Sequence, residues 1–200
     1  MMVCKPVSLA VLVSMANAYF GLCGEKPSRK DSETPAAVLK NWKEHRPKNN
    51  RFTIMLPPGG LTGKGEMAGG SLKTPVEFSQ GQFGKAIYTA MFMKFPPALV
   101  GKIPPDTPPE KILGLFREFV AEKLGKVVGE KKLKQGMLHG MEYKVNEVKD
   151  GRIGRVQMYW VEPYLLTASV VGEPEAVNSK EAEAFFASFK IAPINQKSKE

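Results

Sequence analysis

Cysteine and histidine are scarce, with two of each among 200 residues. His45 and His139 stand far apart and neither has a second histidine beside it, so a structural zinc site lacks ligands. Cys4 and Cys23 both fall in the first segment. A cut after Ala18 would leave Cys23 alone, which excludes a disulfide framework. Long apolar runs are missing as well: Val7 to Ala16 is apolar for about ten residues, short of the ~20 that cross a bilayer. No phosphate loop is present, because three residues separate Gly59 from Gly63 and a glycine follows Lys64.

What is present is a globular composition, 42% hydrophobic and 24% charged. Lys5 is the first charge, the apolar stretch follows, and Ala16-Asn17-Ala18 supplies the small residues that a signal peptidase reads. This order predicts an exported protein with a signal peptide over 1–18. Removing Lys5 lowers the net charge from +9 to 9 − 1 = +8. A basic exported chain meets acidic lipid headgroups, anionic polymers or acidic proteins, so no nucleic acid is expected. Cys23 keeps three readings: a lipid-modified N-terminal cysteine, an intermolecular bridge, or a tail thiol. Gly21 suits a lipobox, whereas Phe20 and Leu22 do not. Membrane anchoring is expected only if Cys23 carries lipid.

Residues 19–48 read as a linker, polar from Glu25 to Pro35. One or two helical turns follow between Ala36 and His45, with Val38, Leu39 and Trp42 on one side. A single α+β domain is expected over 49–193 and a charged tail over 194–200. Phe52, Ile54 and Leu56 alternate with Thr53 and Met55 as a first strand. Gly59 to Thr74 is glycine-rich without apolar periodicity and reads as a long mobile loop. Val76 and Phe78 suggest a short strand, and Ala86 to Phe95 a stronger one. Thr107 and Glu110 predict a capping box, followed by a stripe of Ile112, Leu115, Phe116, Phe119, Val120 and Leu124.

Beyond Gly125, Lys126 to Lys134 is extended. Met141, Tyr143 and Val145 alternate with Glu142, Lys144 and Asn146 as in a sheet with one wet face. Asp150-Gly151 predicts a hairpin into Val156, Met158 and Trp160, and Glu162-Pro163 a reversal into Tyr164 to Val171. A last helix is expected to start near Asn178 and bury Ala182, Phe185, Phe186 and Phe189.

Phe52-Thr-Ile-Met-Leu-Pro57, the central helix, Gly140-Met-Glu-Tyr143, Arg155-Val-Gln-Met-Tyr159 and Phe185-Phe-Ala-Ser-Phe189 follow one another in an order that resembles the Mog1/PsbP-like fold family. The resemblance spans roughly Arg51 to Ala192. It implies a central antiparallel β-sheet of about six strands with helices packed on its faces, an α/β/α sandwich. It also implies binding or assembly-accessory roles in the cell envelope or exterior. It offers no shared catalytic motif, and a fold is weak evidence for function.

Chemistry-bearing residues are correspondingly few. His139 beside the Gly136 turn reads as a solvent histidine; as the base of an undetected hydrolase it would need a pocket shared with a carboxylate. Glu142, Glu147 and Glu162 occupy polar strand positions or turns, which a solvated sheet face explains. Two basic clusters remain: Lys40, Lys43, Arg46, Lys48 and Arg51 before the domain, and Lys123, Lys126, Lys131, Lys132 and Lys134 at the helix-to-strand junction. Either serves solubility or docks on an anionic polymer or lipid surface. The expected partner is thus an unknown protein or an anionic surface. No cofactor and no catalytic or metal residue is expected.

Overall fold

The computed structural model describes residues 35–47, 51–69, 72–148 and 151–192. The expected signal peptide, Cys23, Lys48 and the tail lie outside the described residues.

Seven strands form one antiparallel sheet: β3 (Leu61–Gly69), β4 (Leu72–Phe83), β5 (Ala86–Lys94), β6 (Lys126–Gln135), β7 (Leu138–Val148), β8 (Arg152–Val161) and β9 (Tyr164–Gly172). Their spatial order is β3-β4-β5-β9-β8-β7-β6, so β3 and β6 are the edges. A small three-stranded sheet has β2 (Phe52–Leu56) between β1 (Lys43–His45) and β10 (Lys190–Ile191). Among the described residues there are five helices: α1 (Pro35–Val38), α2 (Pro97–Val100), α3 (Pro109–Leu124), α4 (Pro174–Val177) and α5 (Lys180–Ser188). The class is α+β, as expected.

Two cores lie on the two faces of the large sheet. On the first face, Met93, Tyr143, Val145, Val156, Met158 and Leu165 pack with Ile112, Leu113 and Val120 of α3. On the second, Tyr88, Ala90, Leu166, Ala168 and Val170 meet Phe52, Ile54 and Leu56 of β2, with Phe185 and Phe186 of α5. The alternation of β2 is therefore real, and its inward side chains are almost fully buried.

Three expectations are corrected. The stretch Gly59 to Thr74 contains β3, which pairs with β4 from Leu61↔Gln80 to Gly69↔Leu72. Backbone pairing needs no apolar alternation, and at Gly63 the Phe78 ring lies over the strand, where a Cβ would press on it at 2.4 Å. The stretch 35–47, expected as part of a linker, folds onto the body. After the four residues of α1 the chain turns into β1, and Leu39 and Trp42 are buried in the second core. The indole packs edge-on against Tyr88 at 4.8 Å and Phe83 at 5.6 Å.

The third correction concerns the helices. Pro108 is the N-cap of α3 and no side chain caps it, so the Thr107–Glu110 box does not form. Leu115 is 74% exposed, while Leu113 is fully buried. The inward line runs through Ile112, Leu113, Phe116, Val120 and Leu124. The last helix, α5, begins one residue later than expected: Ser179 caps it by accepting from the Ala182 N–H at 3.2 Å. Asn178 instead closes α4, its Nδ2 donating to the Pro174 carbonyl at 2.7 Å. The buried set Ala182, Phe185, Phe186 and Phe189 is as expected.

Candidate functional site

An edge strand in water must do something with its unpaired backbone groups. β6 carries four lysines in ten residues, and Lys126, Lys131, Lys132 and Lys134 are all exposed. Among the described strands β6 pairs with β7 alone, through Lys131↔Glu142, Lys132↔Met141, Leu133↔Gly140 and Lys134↔His139. Directly opposed residues share a face. Lys132 and Lys134 therefore lie on the α3 side and Lys131 on the α5 side. One irregularity, at Val128, separates Lys126 from the regular stretch that begins at Gly129. Lys123 sits in the last turn of α3, just before β6.

The α3 side of this strand is a charged surface. Arg117 of α3 donates to Glu130 of β6. His139 Nδ1 lies 2.9 Å from Glu110 Oε1, with the two side chains 49% and 32% exposed. Glu110 is held below the usual carboxylate range, first by a hydrogen bond to its own backbone N–H and then by His139 and the charge of Lys132. His139 is the second residue of β7 rather than part of the turn, and it faces Lys134. Two of the three members of a Ser–His–carboxylate arrangement are thus brought together, on an open surface.

The first basic cluster occupies a different layer. Lys40 and Lys43 are exposed on the α1–β1 segment, and Arg46 is exposed with Nη2 3.6 Å from Glu44. Arg51 is drawn away: its guanidinium lies 4.7 Å from the centre of the Tyr164 ring, and Nη2 donates to the Tyr164 hydroxyl at 3.3 Å. The described members of this cluster lie on or next to the strands of the small sheet, and those of the other on or next to the edge strand of the large sheet. Among the described residues, no group of three His, Cys, Asp or Glu is placed to hold a metal ion, and no helix is long and apolar enough to cross a membrane.

Sequence reasoning missed the strongest polar constellation. Glu142, expected on a wet face, is 4% exposed, because α5 lies across that side of the sheet. Arg155 of β8 donates from Nε and Nη2 to Glu142 at 3.2 to 3.3 Å, and Gln157 Nε2 donates to the same carboxylate at 2.8 Å. Arg155 Nη1 reaches Glu183 of α5, and the guanidinium sits 4.8 Å from the Phe186 ring centre. Burial alone would lower the Arg155 pKa, and the carboxylates of Glu183 and Glu142 reverse that and raise it. Counting outward from a two-residue Asp150-Gly151 turn sets Glu142 opposite Tyr159; the irregularity between Val145 and Val148 moves it opposite Gln157 instead. Alternation alone does not say that the face is covered. This cluster binds β7 and β8 to α5, and its groups point inward, so it is structural.

No known family's sequence pattern matches the chain, and no curated protein matches it in sequence. Among solved structures, the chain is similar to the solution structure of cyanobacterial PsbP (CyanoP) from Synechocystis sp. PCC 6803. The TM-score is 0.53 at 10% identity, covering 86% of this chain and 99% of that one. A Pseudomonas aeruginosa protein of unknown function superposes with a TM-score of 0.45 at 10% identity, covering 78% of this chain and 99% of that one. The first likeness supports a PsbP-like α+β fold.

Proposed function

We propose that this protein is an exported, non-enzymatic binding module of the cell envelope or exterior, built as a Mog1/PsbP-like α/β/α sandwich, and that its working surface is the lysine-bearing edge β6. One observation carries the reading: four exposed lysines stand on a strand whose outer edge no described strand pairs. The exposed large apolar side chains support charge rather than greasy contact as the means of docking. Leu61, Phe83, Leu115, Val128 and Met137 are dispersed over β3, β4, α3, β6 and the β6–β7 turn. A lipid on Cys23 would add an anchor without changing this surface.

The hydrolase alternative receives a carboxylate, since Glu110 pairs with His139. The open position of that pair favours a role in the charged surface. Fluorescence anisotropy with labelled polyglutamate tests the reading. Binding should weaken steeply as salt rises, should be lost in K131E/K132E/K134E, and should survive K40E/K43E. Binding that ignores salt, or that follows the K40E/K43E variant instead, defeats the reading.

A further inference from the structure

The lysines of β6 do not share a plane. Lys131 projects on the side of Glu142, and Lys132 and Lys134 on the side of Met141 and His139. A bilayer or a folded surface laid against one face of the sheet would meet only part of this charge. A partner at the edge meets all of it. From Gly129 to Gln135 the register of β6 on β7 is unbroken, so this length of backbone is straight enough to accept a further strand.

Charge on an edge strand ordinarily keeps sheets apart, and here it does so against a second copy, whose own β6 would bring lysine against lysine. Against an acidic strand the same side chains attract. We infer that β6 is a strand-addition site for an extended acidic segment of another protein. Its carboxylates would be spaced acid–apolar–acid–acid, to sit opposite Lys134, Leu133, Lys132 and Lys131. Leu133 is partly buried against the second core, and the apolar position would extend that contact. The inference rests on β6 being the working surface and names the partner that such a surface takes.

The test uses a short synthetic peptide with that spacing. A second peptide has the same sequence but is N-methylated at alternate residues, so that it keeps every charge and loses the N–H groups a ladder needs. Both are titrated into the whole protein, with amide hydrogen exchange read residue by residue. The patterned peptide should bind, N-methylation should weaken it by about tenfold or more, and amides between Gly129 and Gln135 should gain protection. K131E/K132E/K134E should lose the peptide while keeping the thermal midpoint of the parent. The N-methyl comparison stands even if that variant misfolds, because it uses the parent protein.

Equal binding of the two peptides, or no new protection in β6, overturns strand addition while leaving a basic surface intact. Binding of phosphatidylglycerol vesicles without binding of the peptide overturns it in favour of a lipid partner. If polyglutamate and the peptide both fail to bind, the working-surface reading fails along with it.

Discussion

The two edges of the large sheet handle exposed backbone in opposite ways. β3 is poor in side chains, with glycine at 63, 65 and 69, and its Lys64 is paired to Glu77 of β4 at 2.7 Å. β6 is rich in them, and its charge is mostly of one sign. The hairpin behind β3 is held by backbone pairing and a few contacts such as Phe78 against Gly63. The hairpin behind β6 is held from both faces: Tyr143 and Arg117 tie it to α3, and Glu142 and Arg155 tie it to α5. A rigidly backed edge can present a fixed row of charges, which a thin edge cannot.

The largest effect should come from the ion cluster behind β6. Glu142→Ala leaves the buried Arg155 with Glu183 alone and removes the acceptor of Gln157, and should cost about 3–5 kcal/mol in urea denaturation. Lys64→Ala, which breaks an exposed pair behind β3, should cost at most about 1 kcal/mol. Similar losses would erase the distinction between the edges. Replacing Glu142 and Arg155 together by Leu and Met should recover much of the stability, because no unpaired charge remains.

Glycines sharpen the same contrast. A Cβ at Gly140 would meet the Tyr159 ring at 2.6 Å and the Met158 carbonyl at 2.8 Å, whereas at Gly63 it meets only the Phe78 ring, a partly buried side chain that can turn aside. Gly140→Ala should therefore cost about 2–3 kcal/mol, and Gly63→Ala about 1 kcal/mol or less, by the same measurement. Tyr143→Phe removes the buried hydroxyl that donates to the Leu113 carbonyl at 2.9 Å. It should cost about 1–2 kcal/mol and loosen α3 on the β6 side alone, visible as faster amide exchange in that helix.

The smallest effect is one of pH. Glu110 has a depressed folded-state pKa, so its contribution to stability is present above the ordinary carboxylate value. That contribution is lost as pH falls through the folded value. Thermal midpoints followed from about pH 6 to pH 3 should fall slightly more for the parent than for Glu110→Gln. A steeper fall in the variant would mean that Glu110 does not stabilise as an anion.

Much of the β6–β9 meander was legible as strands from alternation. The β7–β8 register was not, because the irregularity between Val145 and Val148 shifts it from the one a two-residue Asp150-Gly151 turn sets. The burial of Ala182, Phe185, Phe186 and Phe189 was legible too, since it follows helical spacing. β3 was illegible, since a glycine edge strand has no periodicity to read. Leu39 and Trp42 gave a correct local pattern and no clue that they cover Tyr88. Glu142 shows the deeper limit: alternation assigns a residue to a face, while a helix some 40 residues further along the chain decides whether that face is wet. The lysines of β6 were visible at once. Their division between two faces, and the Glu110–His139 pair across 29 residues, exist only once the sheet is formed.

The most direct measurement is a residue-resolved NMR titration of the whole protein with polyglutamate, comparing the two edges. Shifts concentrated on Gly129 to Gln135 and on the β7 residues opposite them, with β3 and β1 unmoved, are the predicted outcome. Shifts centred on β1 and Lys40, or spread evenly over both edges, would contradict β6 as the working surface.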